Sequence, residues 1–349
     1  MHRILIIAPN WIGDAVMSQP LLASLKSQFP EREIDVLAST WVAPIYRTCT
    51  EVSNVIEAPL EHGKLQWGLR KTLANKLSTN QYQTCIVLPN SLKSALIPWL
   101  AGIPVRIGYQ GEMRFGLINR SLKNPSKVKR PPMTEHYLAL SQLLDPKQKD
   151  SASASKNPTL HILDFTKQAI EIKLSKAGIN TDKLFVFCPG AEYGPTKRWP
   201  AEHFASLSRL LLDADPNNQI ILLGGKGDYA LGEHIQSQVE DVSRIQNWCG
   251  DTSLDEAIAL IGLCHGMVSN DSGLMHIGAA LKKPQIAIFG SSDPHHTPPL
   301  SDHARIIWLN LPCSPCHKRE CPLGHLKCLK DISPQIVFDS IKLLHKSSQ

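Results

Sequence analysis

The stretch Val268-Ser269-Asn270-Asp271-Ser272-Gly273-Leu274-Met275-His276 combines more chemically useful residue types than any other in the sequence. It reads as a strand end followed at once by a helix start. The free N–H groups of a first helical turn hold an incoming pyrophosphate, and Asp271 accepts hydrogen bonds from sugar hydroxyls. Together they suit a nucleotide sugar. His276, three residues into that helix, reads as a packing residue or hydrogen-bond donor before it reads as a proton carrier. The segment Pro189 to Pro200, PGAEYGPTKRWP, is a second shaped loop, with adjacent Lys197 and Arg198 placed before a Pro-initiated helix. Cations there are matched to phosphate oxygens. At Leu223-Gly224-Gly225-Lys226-Gly227-Asp228 the glycines allow a nucleoside to approach the backbone closely. The spacing is not GxGxxG, and GxxxxGK[ST] is absent, which argues against a dinucleotide dehydrogenase and a P-loop NTPase.

Near the N-terminus, Pro9-Asn10-Trp11-Ile12-Gly13-Asp14 leads into a helix whose dipole favours an ionised Asp14. An ionised carboxylate in that place is a general-base candidate; the plainer alternative is a helix cap. Trp11 and Trp199 are able to stack on a base or sugar, or to fill a core. Of the nine cysteines, Cys313, Cys316, Cys321 and Cys328 form C-x2-C-x4-C-x6-C with His317 and His325 nearby. Their alternatives are a structural zinc site and free or redox-active thiols, in either case a scaffold and not a catalytic metal.

These residues need elements to position them. Arg3 to Ala8 is a buried-strand run, and Asp14 to Phe29 has the apolar spacing of a helix laid on a sheet. Short strands at 34–37, 55–57, 85–88 and 105–107 follow, with helical patterns at 65–77 and 91–100. A polar, aperiodic stretch from Asp145 to Pro158 breaks the series. Strands at 185–188, 219–223, 244–246, 266–269 and 285–289 then alternate with helices at 202–212, 229–239, 254–263 and 273–281, and Ser333-Pro334 opens a last helix. This alternation predicts an α/β protein of two doubly wound domains, 1–160 and 161–349, facing across a cleft.

The chain has 349 residues, 42% of them apolar and 19% charged, which excludes a disordered or fibrous protein and a disulfide-stapled miniprotein. No apolar run is long enough to cross a membrane, and the short N-terminal one reads as a strand and not a secretory signal, so a cytoplasmic protein is expected. Residues 1–165 hold 19 Lys and Arg against 12 Asp and Glu, whereas residues 166–349 hold 18 against 19. A basic first half suggests an anionic partner there, with nucleic acid, acidic lipid and phosphorylated glycan as candidates.

Four stretches carry a family resemblance: PNWIGDAVMSQPL (9–21), LPNSLKSALIPWLAGIPVRIGYQGEMRFGLIN (88–119), PGAEYGPTKRWP (189–200) and NDSGLMHIGAAL (270–281). Over essentially its full length the sequence resembles glycosyltransferase family 9 of Gram-negative bacteria, and the second and third stretches resemble its heptosyltransferase II branch. The resemblance implies a GT-B fold and inverting transfer from ADP-heptose, with no metal required. Asp14 matches the family's catalytic base. Lys197 matches its diphosphate ligand, and Asp271, Ser272, Gly273, Leu274, Met275 and His276 its donor segment; Arg198, Gly224 and Gly225 join that donor set. The implied acceptor is the first heptose of heptosyl-Kdo-lipid A, at the inner face of the cytoplasmic membrane. Nucleic acid then drops out as a partner. Lys93, Arg106 and Arg114 are the acceptor-binding candidates, with Lys127, Lys129 and Arg130 as further cations for the surface contact. The Cys-rich segment occurs in only part of the family, so nothing catalytic is expected to depend on it. Other family 9 heptosyltransferases, a nucleotide-sugar epimerase and a non-catalytic nucleotide-sugar sensor are the rival readings; the sensor has no use for a base at Asp14.

Overall fold

A computed structural model describes residues 3–61, 63–126, 130–144 and 155–347. The chain divides into two compact units, Met1–His161 and Ile162–Gln349.

In the N-terminal unit the elements run β1 (Ile4–Ile7), α1 (Ile12–Met17), α2 (Gln19–Gln28), β2 (Ile34–Ser39), α3 (Ala43–Arg47), β3 (Asn54–Ala58), α4 (Trp67–Ser78), β4 (Thr84–Val87), α5 (Leu92–Leu100), β5 (Val105–Tyr109), β6 (Arg120–Leu122) and α6 (Met133–Leu138). The six strands form one parallel sheet in the order β3-β2-β1-β4-β5-β6. β1 and β4 at its centre are buried along their whole length, because helices cover both faces, and their sequences, ILII and TCIV, accordingly lack any polar alternation. Where one helix was expected from Asp14 to Phe29 there are two. Pro20, in the first turn of α2, has no N–H to continue α1, and Ser18 between them donates its hydroxyl to the Ala15 carbonyl at 2.7 Å.

The C-terminal unit repeats the plan with α7 (Asp164–Lys176), β7 (Leu184–Cys188), α8 (Ala201–Ala214), β8 (Gln219–Leu222), α9 (Tyr229–Gln236), β9 (Ile245–Asn247), α10 (Leu254–Leu263), β10 (Gly266–Asn270), α11 (Gly273–Ala280), β11 (Gln285–Ile288), β12 (Ala304–Ile307), α12 (Lys327–Lys330) and α13 (Pro334–Ser347). Its parallel sheet has the order β12-β11-β10-β7-β8-β9. In both sheets the order reverses beside the first strand of the unit, and ligand sites form at such switch points, outside the carboxyl ends of the strands. β7 and β10 are neighbours, with Ser269 paired to Cys188. The two loops richest in chemistry therefore leave the sheet side by side.

Candidate functional site

Asn270, the last residue of β10, fixes the geometry between those loops. Its fully buried side chain donates from Nδ2 to the Pro189 carbonyl at 2.7 Å and accepts the Trp199 N–H at 3.0 Å, so it ties down both ends of the 189–200 loop. Trp199 is itself core: its indole N–H donates to the Ile332 carbonyl at 2.9 Å and its ring is 1% exposed, so it is not a stacking surface. Held this way, the loop places the Lys197 ammonium 2.6 Å from a carboxylate oxygen of Asp271 and 5.3 Å from the centre of the Tyr193 ring. Asp271 is nearly buried and also accepts a hydrogen bond from the Ser292 hydroxyl.

Next to this pair, Ser272 occupies the N-cap of α11, yet its side chain makes no capping bond. Its Oγ is shielded from solvent and has no hydrogen-bond partner. The first-turn amides of α11 and this hydroxyl thus stand beside a partly exposed ammonium, a set of donors with the chemistry of an anion site. His276, one turn on, is buried. Desolvation pushes its pKa down to about 4, with the Asp271 charge opposing that shift and Lys197 adding to it. At neutral pH the ring carries no charge.

In the N-terminal unit, Asp14 lies in the first turn of α1, after Gly13, and is only partly buried. The N-cap is Trp11, so Asp14 stands at the third helical position and not at the cap itself. Its charge acts on two buried phenols. Tyr46 and Tyr137 are raised above their usual range, first by burial and then with a contribution from Asp14. Beside the same β1–α1 turn, a partly open pocket lies at the carboxyl ends of β1, β2 and β4, lined by Asn10, Ser39, Glu61, Arg70 and Lys93 among others.

The model of glycosyltransferase family 9 (heptosyltransferase) matches residues 70–327. Lipopolysaccharide heptosyltransferase 2 of Escherichia coli (strain K12) is 39% identical over 348 residues, covering 98% of each chain. The chain belongs to glycosyltransferase family 9. Lipooligosaccharide heptosyltransferase 2 of Haemophilus influenzae is likewise 39% identical, over 98% of this chain and 99% of the relative. Among solved structures, E. coli ADP-heptose lps heptosyltransferase II superposes with a TM-score of 0.85 at 35% identity, covering 99% of both chains. A family 9 glycosyltransferase from Veillonella parvula, at 20% identity, shares the fold with a TM-score of 0.87. The two α/β units are those of a GT-B glycosyltransferase.

For this family 9 chain, several expected site residues fall elsewhere. Arg114 is buried, and its guanidinium donates to the Pro89 carbonyl at 2.7 Å, to Asn90 Oδ1 at 3.1 Å and to the Tyr109 carbonyl. Arg106 donates to the carbonyls of Leu117 at 2.6 Å, Ile103 and Gly116. Both cations hold the β5–β6 connection together and have few donors left for an acceptor. Lys93 does line the pocket. Lys127 and Lys129 lie outside the described residues; Arg130 is exposed. In the C-terminal unit the Met275 side chain packs with Ala287 and Phe289 in the core, so only its backbone N–H, in the first turn of α11, is available to a ligand. Arg198 is exposed and braces its own loop through the Ala191 carbonyl at 3.1 Å. At the 223–228 turn the Asp228 carboxylate, accepting the Gly225 N–H at 3.0 Å, fills the space against Gly190 and Gly224 that was expected to admit a nucleoside. Leu274, Ser272 and Gly273 remain at the surface of the donor segment, partly exposed.

The Cys-rich segment is closer to the candidate site than its sequence position suggests. Its carbonyls receive the Tyr193 hydroxyl (His317, 2.8 Å) and the Thr196 hydroxyl (Lys318 and, at 3.2 Å, Arg319), and the His317 N–H returns to the Ser291 carbonyl at 2.8 Å. It therefore braces the loop that carries Lys197. Cys313, Cys316, Cys321 and Cys328 line one hollow with Thr196 and Ser291. All four are free thiols. Among the described residues no group of three or more His, Cys, Asp or Glu is placed to hold a metal ion. Sequence reasoning missed Asn270, Thr196, Asp228 and Ser292 as supports; only the position of Asn270, directly before Asp271, hinted at its role.

Proposed function

We propose that this chain is an inverting heptosyltransferase that transfers L-glycero-D-manno-heptose from ADP-heptose to the first heptose of heptosyl-Kdo-lipid A, in assembly of the lipopolysaccharide inner core. On this reading it is cytoplasmic and works as a peripheral protein at the inner face of the cytoplasmic membrane. The observation that carries the reading is the Lys197 ammonium, 2.6 Å from Asp271 and beside the uncapped start of α11. The relatives named heptosyltransferase 2, 39% identical over nearly the whole chain, supply the sugar and the acceptor class.

The mechanism follows from charge development. As the acceptor hydroxyl attacks the anomeric carbon, Asp14 takes its proton. The bond to the diphosphate oxygen breaks with inversion, and the growing negative charge on ADP is met by Lys197, the α11 amides and the Ser272 hydroxyl. Asp271 keeps the ammonium in place beforehand, so little reorganisation is needed when the charge appears. Preorganised donors of this kind contribute on the order of 3 to 4 kcal/mol each to transition-state stability. His276, neutral at pH 7, acts as a hydrogen-bonding wall and not as a proton carrier. In the N-terminal unit the pocket lined by Asn10, Ser39, Glu61 and Lys93 is the acceptor subsite on this reading.

The test is an ADP-release assay with ADP-heptose and a panel of truncated cores. Turnover with the monoheptosylated core and none with the heptose-free core is expected. Turnover on the heptose-free core assigns the first transfer instead, and conversion of ADP-heptose without acceptor assigns an epimerase.

A further inference from the structure

The N-terminal unit exposes large apolar side chains where a water-facing enzyme ordinarily carries polar ones. Met113 is 82% and Phe115 88% exposed, both in the loop between β5 and β6. Leu65, Trp67, Leu92 and Trp99 are each between 40 and 52% exposed. These residues belong to three segments that hydrogen bonds gather round the amino end of α5. The Glu112 carboxylate accepts the Leu92 N–H at 2.9 Å, which sets the Met113–Phe115 loop against the helix start. Arg70 donates to the carbonyls of Leu65 at 2.6 Å and Lys93 at 2.9 Å, which brings the Leu65–Trp67 turn to the same place. Trp99 follows Leu92 by two helical turns and so shares its face. Apolar groups so grouped mark an interaction surface.

The chemistry of its surroundings selects the partner. Lys64, Lys71, Arg120 and Lys123 are exposed in or beside these segments, against Glu112 and the Glu61 that pairs with Lys64. Tryptophan and lysine flanking a small apolar tip is the composition of a headgroup-level contact, in which rings and methylenes enter the interface and ammonium groups meet anionic phosphates. Lys93 and Arg70 also line the candidate acceptor pocket, so the patch begins where that pocket opens.

We propose that the Met113–Phe115 loop, with Leu65, Trp67, Leu92 and Trp99, is the surface by which the chain docks on an anionic phospholipid bilayer. The inference rests on the reading above that the acceptor is lipid-linked. Docking by this surface brings a sugar projecting from the bilayer to the mouth of the pocket without any spanning element.

The experiment uses the full chain with vesicles of phosphatidylethanolamine and phosphatidylglycerol in flotation, beside analytical ultracentrifugation. Wild type is expected to float, less so as salt rises, and the double variant Met113→Asp with Phe115→Asp to lose at least 10-fold in partition with an unchanged melting temperature. Asp tolerates the left-handed backbone of residue 113, where φ is 51°. Turnover on a water-soluble deacylated acceptor is expected to stay within 2-fold. Equal flotation of both proteins, or no flotation of wild type, overturns the proposal. So does a wild-type dimer that the variant dissolves, which makes the surface an interface between copies. Failure of the deacylated acceptor as a substrate counts against the proposed function alone, because vesicle partition is read without it.

Discussion

Lys197 and Arg114 are both cations in loops that follow a parallel strand, both are mostly shielded from water, and the two end in different kinds of chemistry. The Arg114 guanidinium is enclosed by the Pro89 and Tyr109 carbonyls and Asn90, so its charge stabilises the backbone of its own unit. Lys197 keeps one fifth of its side chain exposed and has a carboxylate and an aromatic face as neighbours, and on the proposed reading its remaining donors meet a diphosphate oxygen. A cation at a strand end binds ligand only when the surrounding backbone leaves its donors unoccupied. Residue type and position do not settle that point; the partners do.

The contrast between groups kept for chemistry and groups used by the fold is tested most sharply at Asp14. Asp14→Asn is expected to lower turnover about 100-fold or more while ADP-heptose affinity changes little, because removing a general base typically costs 10² to 10⁴ in rate. If Asp14 serves only the helix dipole, steady-state kinetics will show wild-type turnover and calorimetry a stability loss of about 0.3 to 1 kcal/mol.

For Lys197→Ala, ADP affinity measured by titration calorimetry should fall roughly 10- to 100-fold, the usual worth of a charge-assisted hydrogen bond. The variant also leaves the nearly buried Asp271 with the Ser292 hydroxyl but without its cation, so adding Asp271→Asn should recover part of the stability but not the lost affinity. Unchanged ADP affinity would put Lys197 in the same class as Arg114. Arg114→Ala is the counter-case: the buried Tyr109 carbonyl, the half-buried Pro89 carbonyl and the exposed Asn90 Oδ1 lose their donor, and the variant should be less stable by roughly 2 kcal/mol, about 6 °C in melting temperature for a unit of this size. Turnover per folded molecule should hold within a few-fold. Loss of acceptor affinity in a fully stable Arg114→Ala protein would reverse its assignment.

The central strands are legible in the sequence because both of their faces are buried, and runs such as LFVFC at β7 admit no other reading. The edge strands β6 and β12 leave no such trace; they are half exposed, and RSL and ARII do not stand out from loop sequence. At the site, the motif at 270–276 locates a helix start after a strand, and the structure puts one there. What sequence cannot separate is Lys93, which lines a pocket, from Arg106 and Arg114, which bind carbonyls up to 25 residues away along the chain. Those partners are set by how the β5–β6 connection folds back on the β4–α5 turn. The support from the Cys-rich segment is invisible for the same reason, since Thr196 and Lys318 are 122 residues apart.

The smallest expected effect belongs to that support, and it refines the contrast by asking whether a hydroxyl in contact with no ligand still sets the ligand site. Thr196 is buried; its hydroxyl donates to the Lys318 carbonyl and accepts from Ser291 Oγ at 3.1 Å, while its own carbonyl accepts the Ser291 N–H at 3.2 Å. Thr196→Val keeps the volume and removes the hydroxyl, so the Cys-rich segment loses one tie to the Lys197 loop and the ammonium can drift from Asp271. ADP affinity should weaken about 3-fold, equivalent to roughly 0.7 kcal/mol at 1.4 kcal/mol per tenfold, with the KM for ADP-heptose rising while kcat stays near wild type, and Thr196→Ser should restore both. A melting temperature that falls without any change in ADP affinity would make the segment a brace for the fold alone, and Lys197 would then owe its position to Asn270 and Asp271.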